Sequence, residues 1–454
     1  MNALCPGWTR TGMTEFAAAT GPLSGWLMAH VPLGRWAKPE EVAHAALFLA
    51  GPAAASLTGH ALVLDGGLSV PDGGLAVSPS RRPRSSPDPS APETPMRFDD
   101  STAVVTGIGS CLPDHTLSND DIITAGALST SDDWIRTRTG IVHRRRIAPG
   151  QATSDLATAA GAAALASAGI SAVDLVVLAT STPDHPCPAT APWVAHRLGL
   201  GSVPAFDLAA VCSGFLYALA TATATIRGGL CRTCLVIGAD TYSAIINPRD
   251  RETAALFGDG AGAAVLSRGT PDTPGAILAA DLGSDGGNHD LITIPAGGSR
   301  HPHHQPPPGP DSHYFHMRGR EVYAHAVRHM TCSAQQVLTT AGWAPDTTRA
   351  FIGHQANQRI LDSVADRLGL PPEHRFGNIR RLGNTAAASI PLVLADPATH
   401  HALRPGDRTV LTAFGGGLTW ASIALTWPAA TPCTAPADPL LMTIPTTPHL
   451  ARSQ

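Results

Sequence analysis

The chain has 454 residues, of which 43% are hydrophobic and 15% charged, and its formal net charge is −4. This composition supports a large core and excludes wholesale disorder, while the near-neutral charge gives no support to a nucleic-acid-binding protein. The length suffices for about three domains. Eight cysteines without framework spacing are typical of a reducing compartment, so a cytoplasmic location is expected.

The first unit predicted along the chain covers residues 1–73. It carries NALCPGWTRTGM, a helix PEEVAHAALFLA with acidic residues in its first turn, and a final strand in GHALVLDGG. In this order the segments resemble the last quarter of short-chain dehydrogenases/reductases, over residues 2–67. The glycine-rich βα turn and the Tyr-x-x-x-Lys pair of that family are missing, which predicts an incomplete Rossmann-type fragment without reductase activity of its own. Met1 stands where the family typically has Val, so we expect the start to lie inside a longer reductase gene.

A change of composition divides the rest of the chain. Residues 74–96 are rich in Pro, Ser and Arg and predict a disordered linker. Strand-like and helix-like segments then alternate, which predicts an α/β fold. AVDLVVLATSTPDHPCPA parallels DTTRAFIGHQANQRI in layout, and GDGAGAAVLSRG parallels FGGGLTWASIALTW. These parallels predict a duplication with halves 97–270 and 271–428, followed by a disordered tail, 429–454.

Three further features have unexceptional interpretations. The uncharged stretches 156–173 and 208–226 are rich in Ala, Thr, Ser and Gly rather than Leu and Ile, which favours buried helices over membrane spans. Cys231 and Cys234 form one CxxC without a second pair, so ordinary thiols are favoured over a zinc site. The histidines of residues 297–316 lie among prolines and favour a solvated loop. Neither a membrane partner nor a metal is expected.

A nucleophile is predicted where FDLAAVCSGFLYALA changes from a strand end to a helix. Cys212 lies at this corner, where the helix N-terminus favours a thiolate, although a core cysteine is the alternative. His354 follows an apolar run in AFIGHQAN, and Asn384 precedes small residues in RLGNTAAASIP. Each alone favours an unexceptional interpretation, a buried imidazole for His354 and a turn or helix cap for Asn384. Together, Cys, His and Asn at separate helix starts predict one convergent active site.

Five motifs give the large block a recognisable pattern: AVCSGF, FGDGAGA, GHQAN, GNTAAASIP and FGGGLTW. In this order they resemble the β-ketoacyl-acyl-carrier-protein synthase III family over about residues 97–427. The resemblance implies a thiolase-like fold of two duplicated halves in five αβαβα layers, usually as a homodimer. It also implies an acyltransferase that loads acyl-CoA onto a cysteine and condenses it decarboxylatively with malonyl-acyl carrier protein. The product, a 3-ketoacyl-acyl carrier protein, initiates fatty-acid or polyketide chains, and no metal or redox cofactor is required.

The resemblance also implies roles for single residues. Cys212 would be the nucleophile, and the backbone N–H groups of Cys212 and Gly416 would form the oxyanion hole. His354 and Asn384 would donate hydrogen bonds to the enolate. Elongating ketosynthases have a second His in place of Asn384, chalcone-synthase-like enzymes end in Gly-Phe-Gly-Pro-Gly, and thiolases use a second Cys. This chain therefore resembles the chain-initiating type.

Substrate-binding residues are predicted at four positions. Trp134 and Arg138, in DDWIRTRTG, would enclose the CoA adenine, with a core Trp beside solvated arginines as the alternative. Arg359 is a candidate contact for the carrier protein or a CoA phosphate, whereas Ala324 stands where the family often has a basic residue. Cys187 replaces a bulky residue that often lines the acyl pocket across the dimer, which predicts starters larger than acetyl.

Two other functions stay open at this point. A starter-unit acyltransferase on the same fold would transfer the acyl group to a carrier protein or hydroxyl without decarboxylation, and it would not need Asn384. A non-catalytic subunit would not need the complete Cys-His-Asn set.

Overall fold

The computed structural model describes residues 3–6, 9, 11, 14, 35–50, 61–64 and 101–437. The chain divides into two units, residues 1–96 and 97–454. The predicted linker, residues 74–96, lies outside the described residues.

The described residues of the first unit form a parallel strand pair and one helix. Strand β1 (Ala3–Pro6) pairs with β2 (Ala61–Leu64), and helix α1 (Pro39–Ala50) lies between them in sequence. The helix begins with proline at its first position, where the missing N–H costs nothing. Glu41 in its first turn accepts the Lys38 N–H at 2.8 Å and pairs with Arg35. Such an acidic first turn complements the helix dipole.

The second unit is built on two mixed sheets, whose strands are numbered in chain order. The first sheet contains β3 (Thr102–Cys111), β6 (Leu175–Ala179), β7 (Ala205–Leu208), β8 (Thr233–Thr241), β9 (Asp259–Gly269) and β17 (Cys433–Ala435). The second contains β10 (Ile277–Ser284), β13 (Ala350–Gly353), β14 (Arg375–Phe376), β15 (Arg408–Gly415) and β16 (Thr419–Thr426). Their spatial orders are β17-β3-β9-β8-β6-β7 and β10-β16-β15-β13-β14. Two small antiparallel ribbons, β4 (His115–Ser118) with β5 (His143–Arg146) and β11 (Ile292–Thr293) with β12 (His316–Met317), complete the strands.

The helices of the second unit range from one turn to six. They are α2 (Asn119–Gly126), α3 (Asp132–Thr139), α4 (Thr153–Ala168), α5 (Ala191–Arg197), α6 (Gly214–Arg227), α7 (Arg251–Ala254), α8 (Gly319–Thr340), α9 (Gln358–Arg367), α10 (Ile379–Leu382), α11 (Ser389–Leu394) and α12 (Pro397–Ala402). Short 3₁₀ helices cover Val211–Ser213, Tyr242–Ala244, Gly286–Leu291, Pro345–Thr347, Pro372–His374 and Ala386–Ala388.

The second unit has five layers, which pack on one another through three hydrophobic clusters. The first cluster packs α4 and α5 against one face of the first sheet, through residues such as Leu178 and Ile237. Because side chains alternate along a strand, Val177 and Val236 face the other way, toward α6 and α11. The same central cluster includes Leu411 of the second sheet. Helices α8 and α9 cover the outer face of that sheet. The αβαβα layering that the family resemblance implies is confirmed.

The two sheets repeat one strand plan, as the parallel sequence segments predict. In each, the pairings run antiparallel, antiparallel, parallel and parallel, through β3-β9-β8-β6-β7 and β10-β16-β15-β13-β14. The long helices α4 and α8 follow the first strands β3 and β10, and the central helices α6 and α11 follow the last strands β7 and β14. Corners that precede the two central helices are therefore equivalent positions of the two halves.

The tail prediction is wrong for its first nine residues. Residues 429–437 continue along the first sheet, where β17 pairs in parallel with β3. The Ser110 and Thr434 hydroxyls lie 3.1 Å apart, and Ser167 donates to the Thr431 carbonyl. Ala437 is buried in the cluster around α4. A Pro/Thr-rich composition does not reveal this pairing because the strand's partners lie more than three hundred residues away in sequence.

Within the described parts of the chain, no helix combines the length and apolar character that a membrane crossing requires. Helix α4 covers most of the uncharged stretch 156–173. It ends at Ala168, because Gly169 at φ 66° adopts the left-handed conformation that closes a helix.

Candidate active site

Cys212 lies at the corner between β7 and α6, in the 3₁₀ helix Val211–Ser213. The end of strand β15 runs directly against this corner. A Cβ on Gly415 would lie 2.7 Å from the Cys212 nitrogen, so only glycine permits the approach. Gly416 follows and lies beside Val211. The FGGGLTW motif thus lies against the backbone of Cys212 and the side chain of Val211.

The surroundings of Cys212 oppose ionisation of its thiol. The residue is half-buried, and burial raises the pKa of its thiol, with a further rise from the buried Asp240 carboxyl. Desolvation disfavours the charged form and here acts against the helix N-terminus. The structure therefore favours a neutral thiol at rest, in contrast to the thiolate that the local sequence predicts.

His354 follows β13 and is held by hydrogen bonds through its backbone and its ring. Its N–H donates to the Thr412 carbonyl at 2.8 Å, and its ring is buried, 2% exposed. Nδ1 lies 2.7 Å from the Ser389 hydroxyl, whose oxygen also accepts the Gln355 N–H at 3.3 Å. That second bond favours donation of the Ser389 proton to Nδ1, which leaves the ring proton on Nε2. Burial lowers the pKa of His354 to about 3, so the ring is a neutral hydrogen-bond donor.

Asn384 lies between α10 and the 3₁₀ helix Ala386–Ala388. Its backbone N–H donates to the Leu256 carbonyl and its carbonyl accepts the Gly258 N–H, both at 2.9 Å. The side-chain Oδ1 accepts the Ala386 N–H at 2.9 Å. This bond assigns the amide orientation, so Nδ2 is the atom that can donate to a ligand. The FGDGAGA motif thus supports Asn384 through backbone contacts.

The short segment from Asn384 to Ser389 brings the three predicted residues together. It contains Asn384 itself, and its Ser389 contacts His354. Ala386 belongs to an aromatic cluster, formed with Tyr242, Phe257 and Phe315, against which Cys212 packs. Asp240 fastens the segment to the first half, because its carboxylate accepts the Ala387 N–H at 2.9 Å. The Cys, His and Asn that are far apart in sequence therefore converge on one segment.

Asp240 is a buried carboxyl that the sequence analysis missed. Besides the Ala387 N–H, it accepts the Ser181 N–H at 2.7 Å and the hydroxyls of Thr180 and Thr182 at 3.2 and 3.1 Å. Burial raises its pKa to about 7, against the opposing effect of these hydrogen bonds. The residue ties the loop after β6 to the second half.

A cleft of about 490 Å³ leads to Asn384 and contains three of the four predicted binding residues. Trp134, on α3, is 39% exposed at its wall. The guanidinium carbons of Arg138 and Arg251 lie 6.0 and 5.2 Å from the centre of its ring. Arg359, on α9, lines the cleft further along. The structure therefore combines an aromatic plane with several cations, which suits a phosphate-bearing nucleotide.

Two cleft residues were missed from the sequence. Arg251 is nearer to Trp134 than Arg138 is, and Tyr323 lies 5.8 Å from the Arg359 guanidinium carbon. Both come from helices remote in sequence from Trp134, and neither lies in a motif. Only the tertiary packing of α7 and α8 against α3 and α9 reveals them.

Cys187 and the histidine-rich segment lie elsewhere. Cys187 is exposed in the loop between β6 and α5 and does not line the Trp134 cleft. His303 and His313 stack with ring centres 5.7 Å apart. Across the described residues, no three His, Cys, Asp or Glu side chains are grouped so as to hold a metal ion.

Comparisons with known proteins agree with this geometry. Residues 206–286 match the family "3-Oxoacyl-[acyl-carrier-protein (ACP)] synthase III" and residues 338–427 match its C-terminal family. The chain is 55% identical over 330 residues to Beta-ketoacyl-[acyl-carrier-protein] synthase III 2 of Streptomyces coelicolor, covering 73% of this chain and 95% of that protein. Residues 1–69 match the family "Enoyl-(Acyl carrier protein) reductase".

Solved structures show the same likeness. The 3-oxoacyl-(acyl carrier protein) synthase III of Pseudomonas aeruginosa PAO1 superposes with a TM-score of 0.68 at 49% identity, covering 73% of this chain and all of that chain. The priming β-ketosynthase of the R1128 polyketide biosynthetic pathway superposes with a TM-score of 0.66 at 32% identity, covering 72% and 97%.

Proposed function

The chain belongs to the 3-oxoacyl-[acyl-carrier-protein] synthase III family of condensing acyltransferases, and from this premise we propose how its residues carry the reaction. The family condenses acyl-CoA with malonyl-acyl carrier protein to start fatty-acid synthesis, without a metal or redox cofactor. The proposal assigns acyl transfer to the corner around Cys212 and decarboxylative condensation to His354 and Asn384.

In the first step, the Cys212 sulfur attacks the thioester carbon of acyl-CoA. The tetrahedral oxyanion accepts hydrogen bonds from the backbone N–H groups of Cys212 and Gly416, and the bond to the CoA sulfur then breaks. The thiol loses one proton and the departing CoA thiolate gains one, so the step is neutral overall. An acyl-enzyme remains.

In the second step, malonyl-acyl carrier protein replaces CoA in the cleft. Loss of CO₂ from the malonyl group leaves an enolate whose charge lies on the thioester oxygen. Nε2 of His354 and Nδ2 of Asn384 donate to that oxygen. The enolate carbon then attacks the acyl-Cys212 carbonyl and expels the sulfur as a thiolate, which takes a proton from solvent, and 3-ketoacyl-acyl carrier protein forms.

The orientation of the Asn384 amide is the observation that supports decarboxylation most directly. Because Oδ1 is occupied by the Ala386 N–H, the amide presents a donor to the cleft, which an enolate needs. A starter-unit acyltransferase without decarboxylation forms no enolate and would not need this donor.

For the binding residues, we propose that Trp134, Arg138 and Arg251 hold the CoA nucleotide, and that Arg359 contacts a phosphate of CoA or of the carrier protein. The cation–aromatic contacts around Trp134 support the first assignment. We also propose that Cys187 enlarges the acyl pocket of a second subunit, so starters larger than acetyl are preferred.

A homodimer in the cytoplasm is part of the proposal. Strand β7 is an edge strand of its sheet, and Phe206 on it and Trp193 beside it are 40% and 52% exposed. Such an edge with exposed aromatics suits pairing with a second copy. The seven cysteines described in residues 101–437 are all free, as in a reducing compartment. Phe206→Asp should convert dimer to monomer in sedimentation.

The decisive experiment incubates the purified protein with a panel of acyl-CoAs and records its intact mass before and after malonyl-acyl carrier protein is added. We expect an adduct that is absent in Cys212→Ala, retained in the matched control Cys332→Ala, and discharged with CO₂ release as 3-ketoacyl-acyl carrier protein. Discharge without CO₂ would favour the acyltransferase instead. No adduct from any acyl-CoA would contradict Cys212 as the nucleophile.

A further inference from the structure

The aromatic cluster beside Cys212 contains a polar side chain that the proposed reaction does not use. Tyr242 begins a 3₁₀ helix directly after β8 and is 0% exposed. Its ring stacks on Phe257 with ring centres 4.4 Å apart and meets Phe315 edge-on at 5.3 Å. Cys212 packs against the same cluster. An acyl group carried by Cys212 therefore lies against these rings.

The hydroxyl of Tyr242 is buried without a hydrogen-bond partner among the residues that the structure describes. The hydroxyl of Ser181 is also buried and also lacks a hydrogen-bond partner among the described residues. The two lie close enough to interact, but no hydrogen bond of acceptable geometry joins them. A buried unpaired hydroxyl weakens a fold, and Phe in place of Tyr would fill the same space without that cost. Two such neighbouring hydroxyls, one of them in the cluster that Cys212 contacts, indicate that a substrate group pairs with them.

The charge of the surroundings limits what that group can be. Asp240, whose carboxyl is buried close to Tyr242, already holds the loop that carries Ser181. A second carboxylate at this point would add a buried like charge, which is strongly unfavourable. A neutral oxygen, which accepts from Tyr242 and can also donate if it is a hydroxyl, meets the requirement.

We propose that Tyr242 and Ser181 bind a neutral oxygen-bearing group of the starter acyl chain, so that hydroxyacyl or oxoacyl thioesters are loaded in preference to hydrocarbon ones of equal length. The inference rests on the proposed role of Cys212 as acyl carrier. It adds a specificity determinant that neither the length of the acyl chain nor the size of Cys187 supplies. A site built to hydrogen-bond a substrate oxygen discriminates strongly against the analogue that lacks it.

The test is a set of competitions for Cys212, each between butyryl-CoA and one of its 2-, 3- and 4-hydroxy derivatives in equal amounts. The ratio of the adducts is read from the intact mass after a short incubation, because one oxygen distinguishes them. We expect the native enzyme to favour a hydroxybutyryl adduct, and Tyr242→Phe to reduce that ratio about tenfold, the effect of one hydrogen bond. Ser181→Ala should reduce it less. Tyr217→Phe is the matched control, since that hydroxyl donates to the Gly283 carbonyl.

The outcomes distinguish a failure of the polar specificity from a failure of Cys212 acylation itself. Preference for butyryl-CoA in the native enzyme, or an unchanged ratio in Tyr242→Phe, overturns the polar specificity while leaving Cys212 acylation intact. An unchanged ratio with a weakened dimer assigns the hydroxyl to a subunit contact and also overturns it. No adduct from any acyl-CoA overturns the proposed function itself. If Tyr242→Phe does not fold, the ratio in Ser181→Ala decides the question.

Discussion

The two halves of the second unit share one strand plan but contribute different chemistry. After β7, the first half turns into α6 and places Cys212 at the corner; after β14, the second half turns toward α11 and places Asn384 at the equivalent corner. The loops after β6 and β13 differ in the same way. The first presents residues 180–182 to the carboxylate of Asp240, and the second presents His354.

This difference shows how a duplicated fold forms one asymmetric site. Helices α6 and α11 share the central cluster between the sheets, so their preceding corners meet. In the proposed mechanism, one corner carries the nucleophile and the other carries a hydrogen-bond donor. A would-be Cβ on Gly238 lies 2.4 Å from the Ala387 carbonyl oxygen, which shows how closely the halves approach. The following predictions test this division of roles.

The largest effect is expected when the two roles are separated. His354→Ala or Asn384→Ala should leave loading of Cys212 by acyl-CoA unchanged but slow decarboxylation of malonyl-acyl carrier protein about 10²–10³-fold, because each removes one donor to the enolate oxygen. Acyl-enzyme mass and CO₂ release measure the two steps independently. His374→Ala, outside the site, is the control. Equal loss of both steps would refute the assignment of separate roles to the halves.

Asp240 in the first half and His354 in the second should make stability depend on pH in opposite directions. Folding raises the pKa of Asp240 from 3.8 to about 7, so its contribution is complete below pH 3.8 and is lost as the pH rises through 7. Folding lowers the pKa of His354 from 6.5 to about 3. Its contribution is therefore complete above pH 6.5 and is lost as the pH falls toward 3.

Denaturant unfolding at a series of pH values measures both contributions. The stability difference between the native chain and His354→Gln should rise between pH 3 and 6.5, by at most about 1.4 kcal/mol per pH unit. The difference between the native chain and Asp240→Asn should fall between pH 4 and 7. Slopes of the same sign would show that burial does not control these two groups as described.

A smaller effect is expected from the residue that positions His354. Ser389→Ala removes the partner of Nδ1, so the ring proton is no longer directed to Nε2, and condensation should slow about tenfold. Loading of Cys212 and the KM for acyl-CoA should stay unchanged, which a merely structural defect would not produce. Ser422→Ala is matched, because that buried hydroxyl contacts Thr412 instead. Equal losses in both variants would contradict the positioning role.

The smallest effect is expected at the mouth of the cleft, to which both halves contribute. Trp134→Ala or Arg251→Ala should raise the KM for acyl-CoA about fivefold with little change in kcat, since the first removes both cation–aromatic contacts at this wall and the second removes one. Steady-state kinetics over a range of acyl-CoA concentrations would show this. Arg404→Ala, exposed and distant in sequence from the cleft residues, is the control. A change in kcat alone would place these residues in the chemistry rather than in binding.

The sequence by itself determined the elements whose signals are local. Strand–corner–helix patterns located Cys212, His354 and Asn384, and segments of similar layout indicated the duplication that β6 with β13 and β9 with β16 display. Such patterns can be recognised in a sequence because alternating apolar residues, glycines and caps act within a few neighbours along the chain.

Only the tertiary structure decided the features that depend on distant partners. The pairing of β17 with β3, the position of Arg251 beside Trp134, and the unpaired hydroxyl of Tyr242 involve segments far apart in sequence. The raised pKa of Cys212 is of the same kind, because desolvation comes from the packed cluster rather than from the residue's neighbours. Burial is a collective property of the fold, and no short segment encodes it.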